Sequence, residues 1–221
     1  MVRDAPASRS QQVAAVVTVA GLKGGVGKTS ASTALAAFWA ADRKVLLVDA
    51  DANGSALKWH RRGDGALGCD CVPLAQAPMA MAKPLDLVLM DTAGNSRDEL
   101  ATYAEGSDFV LAPCLPAASS IEQVAELAEV LEATGRPFGV VLTMVDERRR
   151  QDATRARAVL EGLGVPVLTA QLSSLSCWPK AEAAGVPVRD ARTDNGRPDP
   201  GAVRAWQQVS ALAAEIEQVL R

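Results

Sequence analysis

Between Leu22 and Ser30 the chain reads LKGGVGKTS, a glycine-rich turn with a lysine at either end of its glycines. Gly24, Gly25 and Gly27 allow close approach of the backbone to an anion. A turn of this kind between a buried strand and a helix offers several N–H groups and a positive helix end to one phosphate. In the pattern GxxxxGK[ST], Lys28 reaches the β- and γ-phosphates of a nucleotide and the Thr29 hydroxyl ligates Mg²⁺. Val26 and Ser30 complete the cradle. Leu22 stands where that pattern has its first glycine, and Lys23 stands beside it. Asp49 and Asp51 close the apolar run VLLVDAD, and Asp91 closes LDLVLMD. Carboxylates at the C-terminal ends of parallel strands lie where ligands of open α/β sheets bind.

The elements that must hold these residues follow from the apolar patterning. VAAVVTVAG (Val13 to Gly21) is short, rich in β-branched residues and ended by glycine, which suits a buried parallel strand. Thr29 to Ala41 reads as an alanine-rich helix with Leu35, Phe38 and Trp39 on one side. VLLVD, LDLVLMD, FVLAP and GVVLT read as further strands, and Ile121 to Thr134 as an amphipathic helix. This alternation predicts an α/β fold, a mostly parallel twisted sheet with helices on both faces. Residues 63–84 predict a short strand among irregular connections, and RDARTDNGRPDP a surface loop. The last segment carries Val203, Trp206, Val209, Ala213, Ile216 and Leu220 at helical spacing, a packed terminal helix. The expected organisation is a flexible N-terminus over 1–12 and one domain over 13–221.

Composition narrows the function classes. A chain of 221 residues accommodates one generous domain with a sizeable core. Nearly half of it is apolar, yet no run approaches the roughly 18 residues of a membrane span. The first dozen residues lack the apolar core of a signal peptide, so a soluble, cytoplasmic protein is expected. Cys69, Cys71, Cys114 and Cys177 show no CxxC spacing and read as reduced thiols, Cys114 buried. Cys69, Cys71 and the lone His60 could bind metal in principle, but small residues in a strand fit the pattern better. A net charge of −3 argues against coating nucleic acid through bulk positive charge and leaves room for a local basic patch.

KGGVGKT resembles the deviant Walker A motif of the ParA/MinD family of P-loop ATPases, whose signature is the first lysine. The resemblance implies a homodimer that sandwiches two ATP molecules, with Lys28 serving its own nucleotide and Lys23 crossing to its neighbour's. DADANGSALKW resembles the family's first switch, DxDPQGSAxxW, with Ala52 and Asn53 in place of proline and glutamine. It implies that Asp51 orients the attacking water and that Asp49 holds Mg²⁺ through water, a contact this ion favours because it dehydrates reluctantly. LVLMDTAGN resembles the Walker B strand and second switch, with Asp91 on the metal's water shell and Gly94 allowing the loop to move. LTMVDERRR resembles the ParA form TMxDxR and sets Thr143 near the base pocket.

Within that family, the terminal helix lacks the cationic face of membrane-bound MinD relatives, so no membrane attachment is expected. Cys114 alone does not supply the paired cysteines of the iron-protein branch, and the single tyrosine, Tyr103, is internal. The remaining branch is the small ParA group without a helix-turn-helix extension. It implies ATP-dependent, non-specific binding to nucleoid DNA and release when a ParB-like or centromere-binding partner stimulates hydrolysis. Candidate phosphate contacts are Arg148, Arg149, Arg150, Lys180, Arg189 and Arg204, with Arg155 and Arg157 nearby. The expected function is segregation of a plasmid or chromosome. The alternatives are a positioner of protein clusters using the same cycle, and a metabolic or assembly ATPase acting on a small substrate.

Overall fold

The computed structural model describes residues 13–94 and 96–221, so the N-terminal segment expected to be flexible lies outside the described residues. Seven strands form one parallel sheet in the order β3-β2-β4-β1-β5-β6-β7. They are β1 (Ala15–Gly21), β2 (Val45–Ala50), β3 (Asp70–Pro73), β4 (Leu87–Gly94), β5 (Phe109–Cys114), β6 (Phe138–Val145) and β7 (Val167–Ser173). The central strands are near-continuous apolar runs because both of their faces are covered.

Side chains alternate between the faces of a strand, and two cores result. On one face α1 (Lys28–Trp39), α2 (Ser55–Arg62), α7 (Cys177–Ala184) and α8 (Ala202–Val219) bury Leu35, Trp39, Trp59, Val209 and Ile216 against Val17, Val19, Leu47 and Leu89. On the other, α4 (Arg97–Glu105), α5 (Ala118–Thr134) and α6 (Arg150–Gly162) bury Leu100, Leu127, Leu131 and Leu160 against Val110, Val140 and Leu142. The short α3 (Ala77–Met81) covers Leu46, Val48 and Val88. The two-sided sheet read from the sequence is what forms.

Several local readings differ. Helix α1 is buried on nearly every side, since it lies between the sheet and α8 rather than presenting one stripe. The buried stripe of α8 runs through Ala202, Ala205, Val209, Leu212, Ala213 and Ile216, and Val203 is 68% exposed. Ala202, Ala205 and Ala213 share that stripe with Val209, Leu212 and Ile216, and Trp206 and Leu220 pack partly buried against the same core. The segment read as a surface loop is anchored at its base: Arg192 bridges Pro198, and Ala191 and Asp199 are buried. The Asp199 carboxylate accepts bonds from Lys180 at 2.8 Å and from the Gly201 amide at 2.8 Å. The outer edge of β7 is capped by side chains: Glu215 accepts from the amides of Thr169 and Ala170, and Gln208 from that of Ser173. This removes a ladder that another chain could extend.

Helices α2 and α7, neither evident in the sequence pattern, meet backbone to backbone at their C-terminal ends. A Cβ on Gly63 would overlap the Gly185 carbonyl, and one on Gly185 would overlap the Gly63 amide and the Trp59 carbonyl. Gly185 also holds φ +74, a left-handed conformation that glycine adopts without strain. Gly63→Ala and Gly185→Ala are each expected to lower Tm by more than about 5 °C in calorimetry. Gly162→Ala, which meets nothing within 4 Å, should leave Tm within about 2 °C.

Candidate nucleotide-binding site

The turn from β1 into α1 forms the cradle. Gly25 and Gly27 hold φ +78 and +87, values that a side chain would strain, and both a Cβ on Gly24 and one on Gly25 would point into open space. Among the described residues nothing fills that concavity, and the backbone around it is shaped to meet an anion. Beneath it, the Thr143 hydroxyl donates to the Val26 carbonyl at 2.8 Å. Thr143 is 2% exposed; it supports the loop from below and also lines the cavity beside Gly27 and Ser30. A shift of register in β6 between Leu142 and Val145, with Met144 at φ +50, turns Thr143 inward and Met144 outward. Such bulges re-aim side chains beside functional sites.

The two lysines of the turn part company. Lys28 is buried, and its ammonium donates to the Lys23 carbonyl at 2.7 Å. Burial lowers its pKa, opposed by the charges of Asp91 and Asp51. Lys23 is exposed, with no ion pair among the described residues.

Asp49 and Asp91 are register partners on β2 and β4, and both are buried. Asp91 accepts the hydroxyls of Thr29 at 2.8 Å and of Ser32 at 2.9 Å. Burial pushes its carboxyl up to about 7, against the pull of those two hydroxyls. Ser32 escaped the sequence reading, although three residues after Thr29 places the two hydroxyls on one helix face. Asp49 accepts the amides of Asp51 at 3.1 Å and Leu57 at 2.9 Å, which ties the loop after β2 to the start of α2. Asp51 is half-buried and turns the loop by accepting the Asn53 amide at 2.8 Å. The residues DTAG, expected to form a mobile switch, are the paired end of β4, with Gly94 opposite Gly21. A Cβ on Gly94 would stand 3.2 Å from the Leu22 carbonyl and 3.4 Å from the Lys23 carbonyl carbon. Glycine there lets the strand end bear directly on the lysine's backbone.

Beside Gly27 and Ser30, a cavity of about 150 Å³ has a largely apolar wall that includes Met144, Leu175, Trp178 and Pro179. Apolar and aromatic walls of this kind suit a planar base. The oxygens of Thr29, Asp49 and Asp91, gathered under the phosphate cradle, are hard donors that fit Mg²⁺.

The cations proposed for DNA separate into two groups. Arg148 and Arg149 are exposed and carry no ion pair among the described residues. Lys180 is paired with buried Asp199, Arg204 and Arg150 with Glu147, and Arg189 with Asp190. Arg189 also lies over the Trp206 ring, 4.7 Å from its centroid.

A glycine cradle at the end of the first strand, a buried lysine and two strand-end aspartates define a P-loop nucleotide hydrolase. The family model described as the CobQ/CobB/MinD/ParA nucleotide binding domain matches residues 17–188, and the chain belongs to that family. It is 33% identical over 188 residues to the maintenance of carboxysome distribution protein A of Gloeobacter kilaueensis, spanning 82% of this chain and 87% of that protein. It is 30% identical over 187 residues to the protein of the same name from Halothiobacillus neapolitanus, spanning 78% and 85%. In fold it matches the septum site-determining protein MinD of Pyrococcus horikoshii, solved with Mg-ADP. The TM-score is 0.68 at 17% identity, over 94% of this chain and 97% of that one. The chain is thus an ATPase of the ParA/MinD family. Among the described residues no helix is long and apolar enough to cross a membrane.

Thr143→Val removes the bond that supports the loop and leaves the Val26 carbonyl without that donor. It is expected to weaken ATP binding about tenfold in calorimetric titration, as befits loss of one buried hydrogen bond. Thr143→Ser should restore most of the affinity.

Proposed function

We propose that this chain is a ParA-type positioning ATPase that dimerises around ATP, holds DNA without regard to sequence, and lets go when a partner protein stimulates hydrolysis. The observation that carries this reading is the separation of its two loop lysines. Lys28 is buried and turned toward the phosphate cradle, whereas Lys23 is exposed at the rim with no ion pair among the described residues. A cation so placed suits the phosphates of a second subunit, where charge develops in phosphoryl transfer. The complete site then exists only in the dimer, so nucleotide state sets oligomeric state.

The remaining residues take consistent roles. Thr29, Asp49 and Asp91 would hold Mg²⁺, the latter two through water; the ion, when bound, neutralises charge on the phosphate oxygens. Asp51, half-buried where the loop after β2 begins, orients the attacking water. Gly94 bears on the backbone of Lys23, so movement at the end of β4 reaches the dimer contact. Arg148 and Arg149 are the cations free to meet DNA phosphates first, each adding about one unit to the salt slope. Arg150 and Arg204 join them if their pairing with Glu147 opens.

For the cargo, the relatives support a change of emphasis. The sequence alone placed a plasmid or chromosome first. Two relatives named for carboxysome distribution support a large protein assembly as the cargo.

Lys23→Ala should bind ATP within about threefold of the unaltered chain yet sediment as a monomer with ATP; an ATP-induced dimer would remove the role in trans. Asp51→Ala should dimerise with ATP and turn over on the order of a hundredfold more slowly, the scale of a lost proton-positioning group. That variant also serves the central test, binding to duplex DNA of arbitrary sequence with ATP and with ADP across a salt series. Tight, salt-sensitive binding with ATP alone is expected. Binding in neither state, or rapid partner-free turnover with a small molecule, would favour the small-substrate enzyme instead.

A further inference from the structure

Glu147 opens the turn that carries Arg148 and Arg149, two residues after β6 ends. Its carboxylate accepts the Ser173 hydroxyl at 2.9 Å, pairs with Arg204 from α8, and lies 3.6 Å from Arg150 at the start of α6. The three charges meet in a cleft of about 330 Å³ between α6 and α8, where Glu147 is the single acidic group in the wall among the described residues. A third arginine there, Arg157, is spent on the carbonyl of Leu168 at 2.7 Å. The Arg150 and Arg204 side chains remain 72% and 47% exposed, against 25% for Glu147. Solvent therefore reaches the two guanidiniums while their shared counter-ion is held from behind. Desolvation by itself would raise the Glu147 carboxyl, but the Ser173 hydroxyl and the Arg204 guanidinium outweigh it and hold its pKa below the usual range.

A guanidinium presents the same fork of donors to a carboxylate and to a phosphate. We propose that Glu147 is a built-in competitor for DNA phosphate, which neutralises Arg150 and Arg204 in the nucleotide-free chain and gives them up when the DNA-binding form assembles. This rests on the DNA-binding reading above and names the device that regulates it.

The device is joined to the nucleotide pocket. Ser173 and Ser174 line the cavity beside Gly27 and Ser30. The Ser173 hydroxyl also accepts from Gln208 of α8 at 2.7 Å, and the Ser174 amide donates to the Val145 carbonyl at 2.9 Å. A base seated in that cavity bears on the segment that restrains Glu147. Movement of Ser173 by a fraction of a hydrogen-bond length weakens the restraint and shifts both arginines toward solvent phosphate.

The test is a salt series of binding to a 30-bp duplex of arbitrary sequence, without nucleotide and with ATP. It compares the unaltered chain, Glu147→Gln, and Glu161→Gln as a control of equal charge change on the exposed face of α6. Glutamine still accepts the Ser173 hydroxyl but no longer neutralises the arginines. Glu147→Gln is expected to bind DNA without nucleotide, with a salt slope up to about two units steeper than the control, one for each released arginine. Adding Arg204→Gln should take back about one of those units. If Glu147→Gln without nucleotide matches Glu161→Gln while the unaltered chain binds with ATP, the competitor role is overturned and the DNA-binding reading stands. If Glu147→Gln gains the slope while the unaltered chain binds in neither state, the competitor role stands and ATP-dependent DNA binding is overturned. If no variant binds in any state, both fall.

Discussion

Two carboxylates buried side by side constrain everything around them. Asp49 and Asp91 are register partners on neighbouring strands, shut away from solvent. An ionised carboxylate in apolar surroundings is too costly to keep without donors. Asp91 finds them in the hydroxyls of Thr29 and Ser32, and Asp49 in the amides of Asp51 and Leu57. Those donors belong to helix α1, to the loop after β2 and to the first turn of α2. Lys28 adds its positive charge from the cradle. The connections that shape the nucleotide site are therefore tied to the same two side chains, and none can move far without leaving a buried charge short of partners.

The chain comes together most tightly through backbone rather than side chains. Gly21 and Gly94 bring the end of β4 against the peptide of Lys23, so the strand that bears Asp91 touches the loop that bears both lysines. Gly63 and Gly185 do the same for α2 and α7, joining the helix after Asp51 to the helix beside the apolar cavity. Thr143 completes the set from below through the Val26 carbonyl. Packed interfaces pass small displacements on because they have little free volume to absorb them. A change at the phosphates thus has direct routes to Lys23, to α2 and to the β6 turn that leads into the arginines.

Charge on the outside is arranged more sparingly than its count suggests. Lys180 holds down the base of the segment after α7, Arg43 joins the turn after α1 to Glu217 of α8, and Arg157 stitches α6 to the carbonyls of β7. Each looks like surface charge in the sequence and serves the fold instead. An acidic chain can still offer a basic surface, because what matters is which guanidiniums are left without an internal partner, and among the described residues Arg148 and Arg149, just after β6, are two of these.

The residues themselves announce the glycine cradle, the buried strands and the aspartates at strand ends, since each is a local pattern: glycine spacing, apolar run length, a charge following an apolar run. From that much, a parallel sheet with helices on both faces and an ATP site at its C-terminal edge could be read, and the order of strand, loop and helix made the family recognisable. Long-range proximity was not readable. That Asp49 lies beside Asp91 depends on β2 and β4 being neighbours. That Lys28 turns inward while Lys23 stays out depends on the walls closing around one and not the other. Helices α2 and α7 bury few side chains of their own and are held together by the glycine contact and by the Trp59 bond to the Val186 carbonyl. On α8 the spacing of Val209, Ala213 and Ile216 was legible, whereas the burial of Ala202 and Ala205 and the exposure of Val203 depended on how the helix sits against the sheet. Whether a given arginine is free or spent was decided only in three dimensions, because its partner lies on another element, as Glu147 does for Arg204, and sequence spacing carries no record of that distance.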